Sequence, residues 1–282
     1  MDTPIIVSKV FFNPSGNLRA GWWVLIFLVV MTACLLPLVF VAQGQGEQVP
    51  IWQQAAVVLV ASLICQILRN RPAEELFGAF NATLVVQLFY GAVLGAALMG
   101  VPALVLFLSG SVSFTLNPSG VDGLVNAFML FIAVAAAEEL MFRGFLFRRL
   151  TEGLGHWLGQ GVVACFFLLV HLDALKSAKG FELLAGLNIF VASFMFGLAC
   201  LRTGGLAMPF GMHLFANVFQ GSVLGFGVSG GAEQGLLVPQ LTGPTWWTGG
   251  AFGLEASVPG FICVLVTCVL LWLLPPPRPA SD

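Results

Sequence analysis

The chain has 282 residues, 59% of them hydrophobic and only 9% charged, with a mean hydropathy of +0.98. Soluble domains carry about 25% charged residues, so this inventory cannot coat a water-facing surface; disorder, which needs low hydrophobicity and high charge, is excluded as well. Nucleic-acid binding is excluded too, because 11 Lys and Arg stand against 13 Asp and Glu with no basic cluster to hold phosphates.

A helix crossing a bilayer takes about 20 apolar residues. In chain order the apolar runs are Gly21–Ala42, Ile51–Leu68, Thr83–Leu108, Gly123–Phe145, Trp157–His171, Phe181–Leu201, Leu206–Leu224 and Val258–Leu274. They predict an all-α polytopic membrane protein with about eight transmembrane helices. The third run is long enough to tilt or kink at Pro102, and the fifth is short. The first is longer than the h-region of a signal peptide and reads as a span. Residues Pro275 to Pro279 stop the last helix.

Orientation follows from the basic residues. With the N-terminus in the cytoplasm, Lys9, Arg19, Arg69, Arg71, Arg148, Arg149, Arg202 and Arg278 fall on the cytoplasmic side, and only Lys176 and Lys179 fall outside. The positive-inside rule expects that asymmetry and puts both termini in the cytoplasm. Asn81-Ala82-Thr83 is a glycosylation sequon on the cytoplasmic side by this count. No repeat of 20–50 residues is visible, which speaks against an inverted-repeat transporter. The cysteines Cys34, Cys65, Cys165, Cys200, Cys263 and Cys268 all lie inside spans at no metal-ligand or CxxC spacing, and read as packing residues.

The fourth span carries charges that hydrocarbon should not hold: Glu138, Glu139 and Arg143. An ionisable residue at a helix centre costs about 2.5–3.5 kcal/mol on the insertion scale and by default marks function. Glu139 and Arg143 are four residues apart and share a face, so they can neutralise each other. Glu138 is turned about 100° away without a charged partner on its own face. Spacing therefore assigns Glu139 and Arg143 to a structural pair and Glu138 to the reactive carboxylate, with one buried ion-pair cluster as the structural alternative. Glu138 also falls late in an outside-to-inside helix, which places it in the cytoplasmic half and favours a substrate on that side.

His171 ends the fifth span four residues after Phe167, and His213 and Asn217 share a face of the seventh. His156 sits in a turn and reads as a surface residue. A carboxylate and a histidine can activate water, and a second histidine with an asparagine can donate hydrogen bonds to an oxyanion. No G-x-S-x-G, paired catalytic cysteine or H-E-x-x-H is present, so neither a covalent nucleophile nor a zincin is indicated. Glu255, after a glycine-rich turn, reads as a helix N-terminal acid outside the site. The loop from Gly225 to Ser257, with Trp246-Trp247, reads as an interfacial flap or an aromatic anchor.

In order, Glu138-Glu139-x-x-x-Arg143, Phe167-x-x-x-His171 and His213-x-x-x-Asn217 resemble the three signature motifs of the CAAX protease and bacteriocin-processing (CPBP or Abi) family, type II CAAX prenyl endopeptidase-like intramembrane proteases. The stretch from Phe196 to Gly204 resembles the family's approach to its third motif. The resemblance implies residues 121–225 as the catalytic core, preceded by transmembrane helices in 1–120 and followed by an outer loop and last helix in 226–282. It further implies Glu138 as the base helped by His171, His213 and Asn217 as the oxyanion hole, and Glu139, Arg143 and Phe167 in support. No cofactor is expected; the alternative is a zinc ion held by Glu138, His171 and His213. The implied setting is a bacterial cell membrane, with membrane lipid around the protein and a peptide or lipidated protein, CAAX-type or other, as substrate. Two other readings are a non-catalytic immunity or scaffold protein, and a transporter using Glu138 and the histidines as a proton relay. The intact motif set favours the enzyme.

Overall fold

Apolar sequence in stretches of helical length, joined by short glycine- and proline-marked turns, builds a bundle of long helices. The computed structural model describes residues 10–274; Lys9, Arg278 and the proline-rich tail lie outside the described residues. The helices are α1 (Ala20–Gly44), α2 (Ile51–Leu68), α3 (Ala82–Leu108), α4 (Leu124–Arg143), α5 (Phe145–Leu154), α6 (His156–Val170), α7 (Glu182–Thr203), α8 (Ala207–Asn217) and α9 (Val258–Leu273). A π-helical turn, Val218–Val223, continues α8. Five stretches are long and apolar enough to cross a membrane by length and composition: Ala20–Gly44, Ile51–Leu68, Glu74–Leu108, Leu124–Leu154 and Glu182–Thr203. The protein is an all-α membrane protein. Pro102 sits inside α3 without ending it. Asn81 caps α3, its Oδ1 accepting the Thr83 N–H at 2.8 Å.

The basic residues that sequence placed together do gather at one end. Arg69 and Arg149 share Glu75, and Arg149 also pairs with Glu152. Arg148 donates to the Gly204 carbonyl at 2.9 Å, and Arg202 donates to that of Trp272 at 3.0 Å. A Cβ on Gly153 would touch Ala20, next to Arg19.

One expectation is overturned. Glu138 was expected in the half that holds the arginines, but the fourth helical stretch does not end at Phe145: past the break at Gly144 (φ −80, ψ −130), α5 follows to Leu154, and it carries Arg148 and Arg149. The ring of Phe142 packs against Phe166 and Phe167 at 5.4 and 4.8 Å, while a Cβ on Gly159 would strike Thr151. Helices α4 and α5 together therefore run antiparallel to α6. His171 follows the 15-residue α6, roughly 22 Å from the arginine-rich end. Glu138 lies at the same level, so the site is not in the half of the bundle that holds the arginines.

The close approach of α3 and α8 fixes the helix that carries His213. Gly91, Gly95 and Gly211 line the contact; a Cβ on Gly95 would stand 2.9 Å from Ala216 N, and one on Gly91 3.1 Å from Met212 N. Small residues four apart let backbones meet in this way. At the end away from the arginines a two-stranded antiparallel ribbon joins β1 (Val112–Leu116) to β2 (Leu237–Leu241), in register from Val112↔Leu241 to Leu116↔Leu237. It ties the loop after the π turn to the top of α3, with Trp247 Nε1 donating to Ser111 Oγ at 3.1 Å. The cysteines are free.

Candidate active site

Helices α4, α6 and α8 bring Glu138, Glu139, Arg143, Phe167, His171, His213 and Asn217 to one place. The two glutamates differ as their helical phase requires. Glu139 is 1% exposed, and its Oε1 accepts from Arg143 Nη1 at 3.3 Å and from His213 Nδ1 at 2.8 Å. Arg143 is fully buried; its Nη2 donates to Ser193 O and Oγ at 3.3 and 3.2 Å, and its guanidinium lies 4.8 and 5.1 Å from the rings of Phe167 and Phe196. Glu138 is 23% exposed and faces a cavity of about 240 Å³, with His171 Nε2 at 4.0 Å and His213 Nε2 at 3.8 Å from its two oxygens.

Each histidine is held by its other nitrogen. His171 Nδ1 is 2.7 Å from the Phe167 carbonyl, one turn back at the end of α6. A carbonyl can only accept, so Nδ1 carries the proton and Nε2 offers its lone pair to the cavity. His213 Nδ1 is fixed in the same sense by the Glu139 carboxylate, and the ring stacks on Phe196 at 5.2 Å. Asn217, one turn beyond His213, lines the same cavity. His156 is exposed at the start of α6, as expected.

The same cavity takes residues that the sequence reading did not place in the site. Asn188 on α7, and Ser229, Glu233 and Glu255 from the segment between the π turn and α9, all line it. Ser257, not Glu255, caps α9, accepting Gly260 N–H at 3.0 Å. Glu255 instead turns inward, and its Oε1 accepts from Ser229 N–H and Oγ–H. Asn188 and Ser193 carried a readable signal, polar residues in an apolar span. Glu233 and Glu255 carried none, because loop acids are ordinarily solvated.

The donor set does not fit a metal as it stands. Tetrahedral zinc with bonds of about 2.0 Å brings neighbouring donors to about 3.3 Å, closer than Glu138 stands to either histidine. Among the described residues no group of three or more His, Cys, Asp or Glu is arranged to hold a metal ion.

Residues 120–219 match the family model of the type II CAAX prenyl endopeptidase Rce1-like proteins, a segment that runs from before α4 into the π turn and carries all three motifs. Over that segment, about a third of the chain, the protein is similar to the type II CAAX prenyl endopeptidase family, and its five helices of membrane-crossing length are those of a membrane protein. No curated protein matches the chain.

Proposed function

We propose that the protein is a metal-free intramembrane endopeptidase that cleaves a membrane-associated peptide or lipidated protein, of CAAX or related type, with Glu138 as the base. The observation that carries the reading is the pair of gaps, 3.8 and 4.0 Å, between Glu138 and the two Nε2 atoms. They are too long for hydrogen bonds and suit one bridging water. Glu138 takes a proton from that water while His171 Nε2 orients it, and the water oxygen attacks the scissile carbonyl carbon. Asn217 Nδ2–H and His213 Nε2–H donate to the resulting oxyanion. The proton on Glu138 then passes to the amine nitrogen as the carbon–nitrogen bond breaks.

This assignment requires His213 to be an imidazolium, since Nδ1–H is already committed to Glu139. Charge balance supports that state. Glu138 and Glu139 then face Arg143 and His213, two negatives against two positives, in a place where net charge is expensive. Glu139, Arg143 and Phe167 are positioning residues: the first two fix His213, the third fixes His171 through its carbonyl.

The test is cleavage of fluorogenic peptides by the purified full chain in detergent, with Glu138→Gln and a chelator as arms. Loss of activity in Glu138→Gln, with activity retained under chelation, is expected. Activity abolished by chelator and restored by zinc would overturn the metal-free assignment.

A further inference from the structure

The cavity has a second polar wall that this chemistry does not use. Asn188 is 2% exposed, and neither its Oδ1 nor its Nδ2 has a hydrogen-bond partner among the described residues. A buried amide left so costs about 1–3 kcal/mol, a penalty that a bound ligand removes. In the same lining, one oxygen of Glu255 is taken by Ser229, with Oγ at 2.9 Å, while the other is engaged by no donor among the described residues. Glu233 makes no hydrogen bond or ion pair among the described residues. Three carboxylates line the cavity, from Glu138, Glu233 and Glu255, and among the described residues its lining holds no Lys or Arg, so the proposed His213 imidazolium is left to offset them. The loop that supplies the wall is braced. Gln220 Nε2 donates to Gly227 O at 2.6 Å, Gly230 N–H to Phe252 O at 3.1 Å, and Val228 pairs with Gly231.

We propose that this wall is a subsite for a cationic group of the substrate, an ammonium or guanidinium close to the scissile bond. Its N–H groups would be received by the free oxygen of Glu255, by Glu233 and by Asn188 Oδ1. The inference rests on the protease reading above and names the substrate class. An ammonium brings three donors and a guanidinium five, matching an acceptor-rich wall, and such charge-assisted bonds are the strong ones. Burial pushes the Glu255 and Glu233 carboxyls above the ordinary carboxylate range, and a cation between them restores the ionised form. Asn188 Nδ2 remains free to donate to a substrate backbone carbonyl.

The test uses the full chain in detergent and peptides identical but for one position beside the scissile bond, carrying Lys, Arg, norleucine or Glu, each with a free or an acetylated N-terminus. Lys and Arg peptides should exceed the norleucine peptide in kcat/KM by roughly tenfold. In Glu233→Gln/Glu255→Gln that ratio should fall to near one, and in Glu255→Lys the Glu peptide should become the better substrate. A preference that tracks the N-terminus assigns the cation to an α-amine; one that tracks the varied position assigns it to a side chain. Equal cleavage of all peptides by the wild type, or a preference undiminished in the double variant, overturns the subsite. Affinities for the same peptides are measured on Glu138→Gln. If the wild type cleaves none of them, the protease reading fails, and the affinity ratio still decides the subsite.

Discussion

The packing of α3 on α8 gives the sharpest test of how the fold positions the site. Replacing Gly95 by Ala adds a Cβ that would stand 2.9 Å from Ala216 N and closer still to the Met212 carbonyl, where ordinary contact begins at 3.4 Å. Both atoms are backbone, so no side chain can swing aside and α8 must withdraw by about 0.5–1 Å. Met212 and Ala216 are the neighbours of His213 and Asn217. A 1 Å shift takes the 2.8 Å bond between His213 and Glu139 beyond hydrogen-bonding distance. Misplacement of that size costs on the order of 10²-fold in rate. Overpacking should also cost about 1–3 kcal/mol of stability, partly offset by up to about 1 kcal/mol of better helix propensity for Ala. The assay is kcat/KM on a fluorogenic peptide together with thermal melting in detergent. Gly161→Ala serves as control, since its Cβ meets only Phe194 at 4.0 Å, and it should leave both measurements at or above wild type. Wild-type rate and melting in Gly95→Ala would refute the argument that this contact sets the position of His213.

Four further outcomes are expected. Glu138→Gln should lower kcat by about 10²–10⁴-fold without lowering the melting temperature, measured by turnover and melting in parallel. Arg143→Met should destabilise the protein by about 3–5 kcal/mol, read as lost folded yield and early melting, because Glu139 is left charged and buried. Asn217→Ala should lower kcat by about 10²–10³-fold with little change in KM, the pattern of a donor used only in the transition state. Glu255 has a folded pKa raised above its ordinary 4.5 by burial, so its contribution to stability is present below that value and is lost as pH rises through the folded pKa. Glu255→Gln keeps an acceptor for Ser229 and should melt higher than wild type at neutral pH, with the gap closing as pH falls toward 4.5; a pH-independent difference would contradict the cause assigned.

The long helices of this bundle were legible because hydropathy alone marks them. The run from Ile51 to Leu68 and the helix there coincide. The motif residues were legible for the same reason: charge in an apolar helix stands out. What escaped was set by contacts between distant segments. The ribbon of β1 and β2 pairs Val112 with Leu241 across nearly half of the chain; β1, Val-Ser-Phe-Thr-Leu, alternates apolar and polar residues, but only over 5 positions, and its partner carries Pro239 and does not alternate. The depth of Glu138 was misjudged because the fourth apolar run ends at Phe145, whereas the helical stretch goes on through Phe145–Leu154, which bears Arg148 and Arg149. In the fold Phe145, Phe147 and Arg149 are buried, and Glu75 answers the charge. Glu255 was read from its local turn, whereas its inward direction depends on Ser229, reached only through the fold of the loop.

The adjacent glutamates show how a membrane interior divides labour between like groups. A helix sends consecutive side chains about 100° apart, so one of two neighbours can be fully paired while the other meets the cavity. Glu139 takes the paired position, and its exchange with Arg143 and His213 leaves it no freedom to react. Glu138 takes the wet one. Hydrolysis consumes a water for each bond cut, and the hydrocarbon around the bundle supplies none. A cavity of about 240 Å³ has room for several waters at roughly 30 Å³ each, or for a short stretch of peptide in their place. Beyond Glu138, His171, His213 and Asn217 its polar lining comes from Asn188, Ser229, Glu233 and Glu255, so water and the peptide's polar groups have reason to enter along that wall. On the proposed reading, a lipid attached to the substrate stays outside, against the apolar faces of the helices, and only the peptide reaches Glu138.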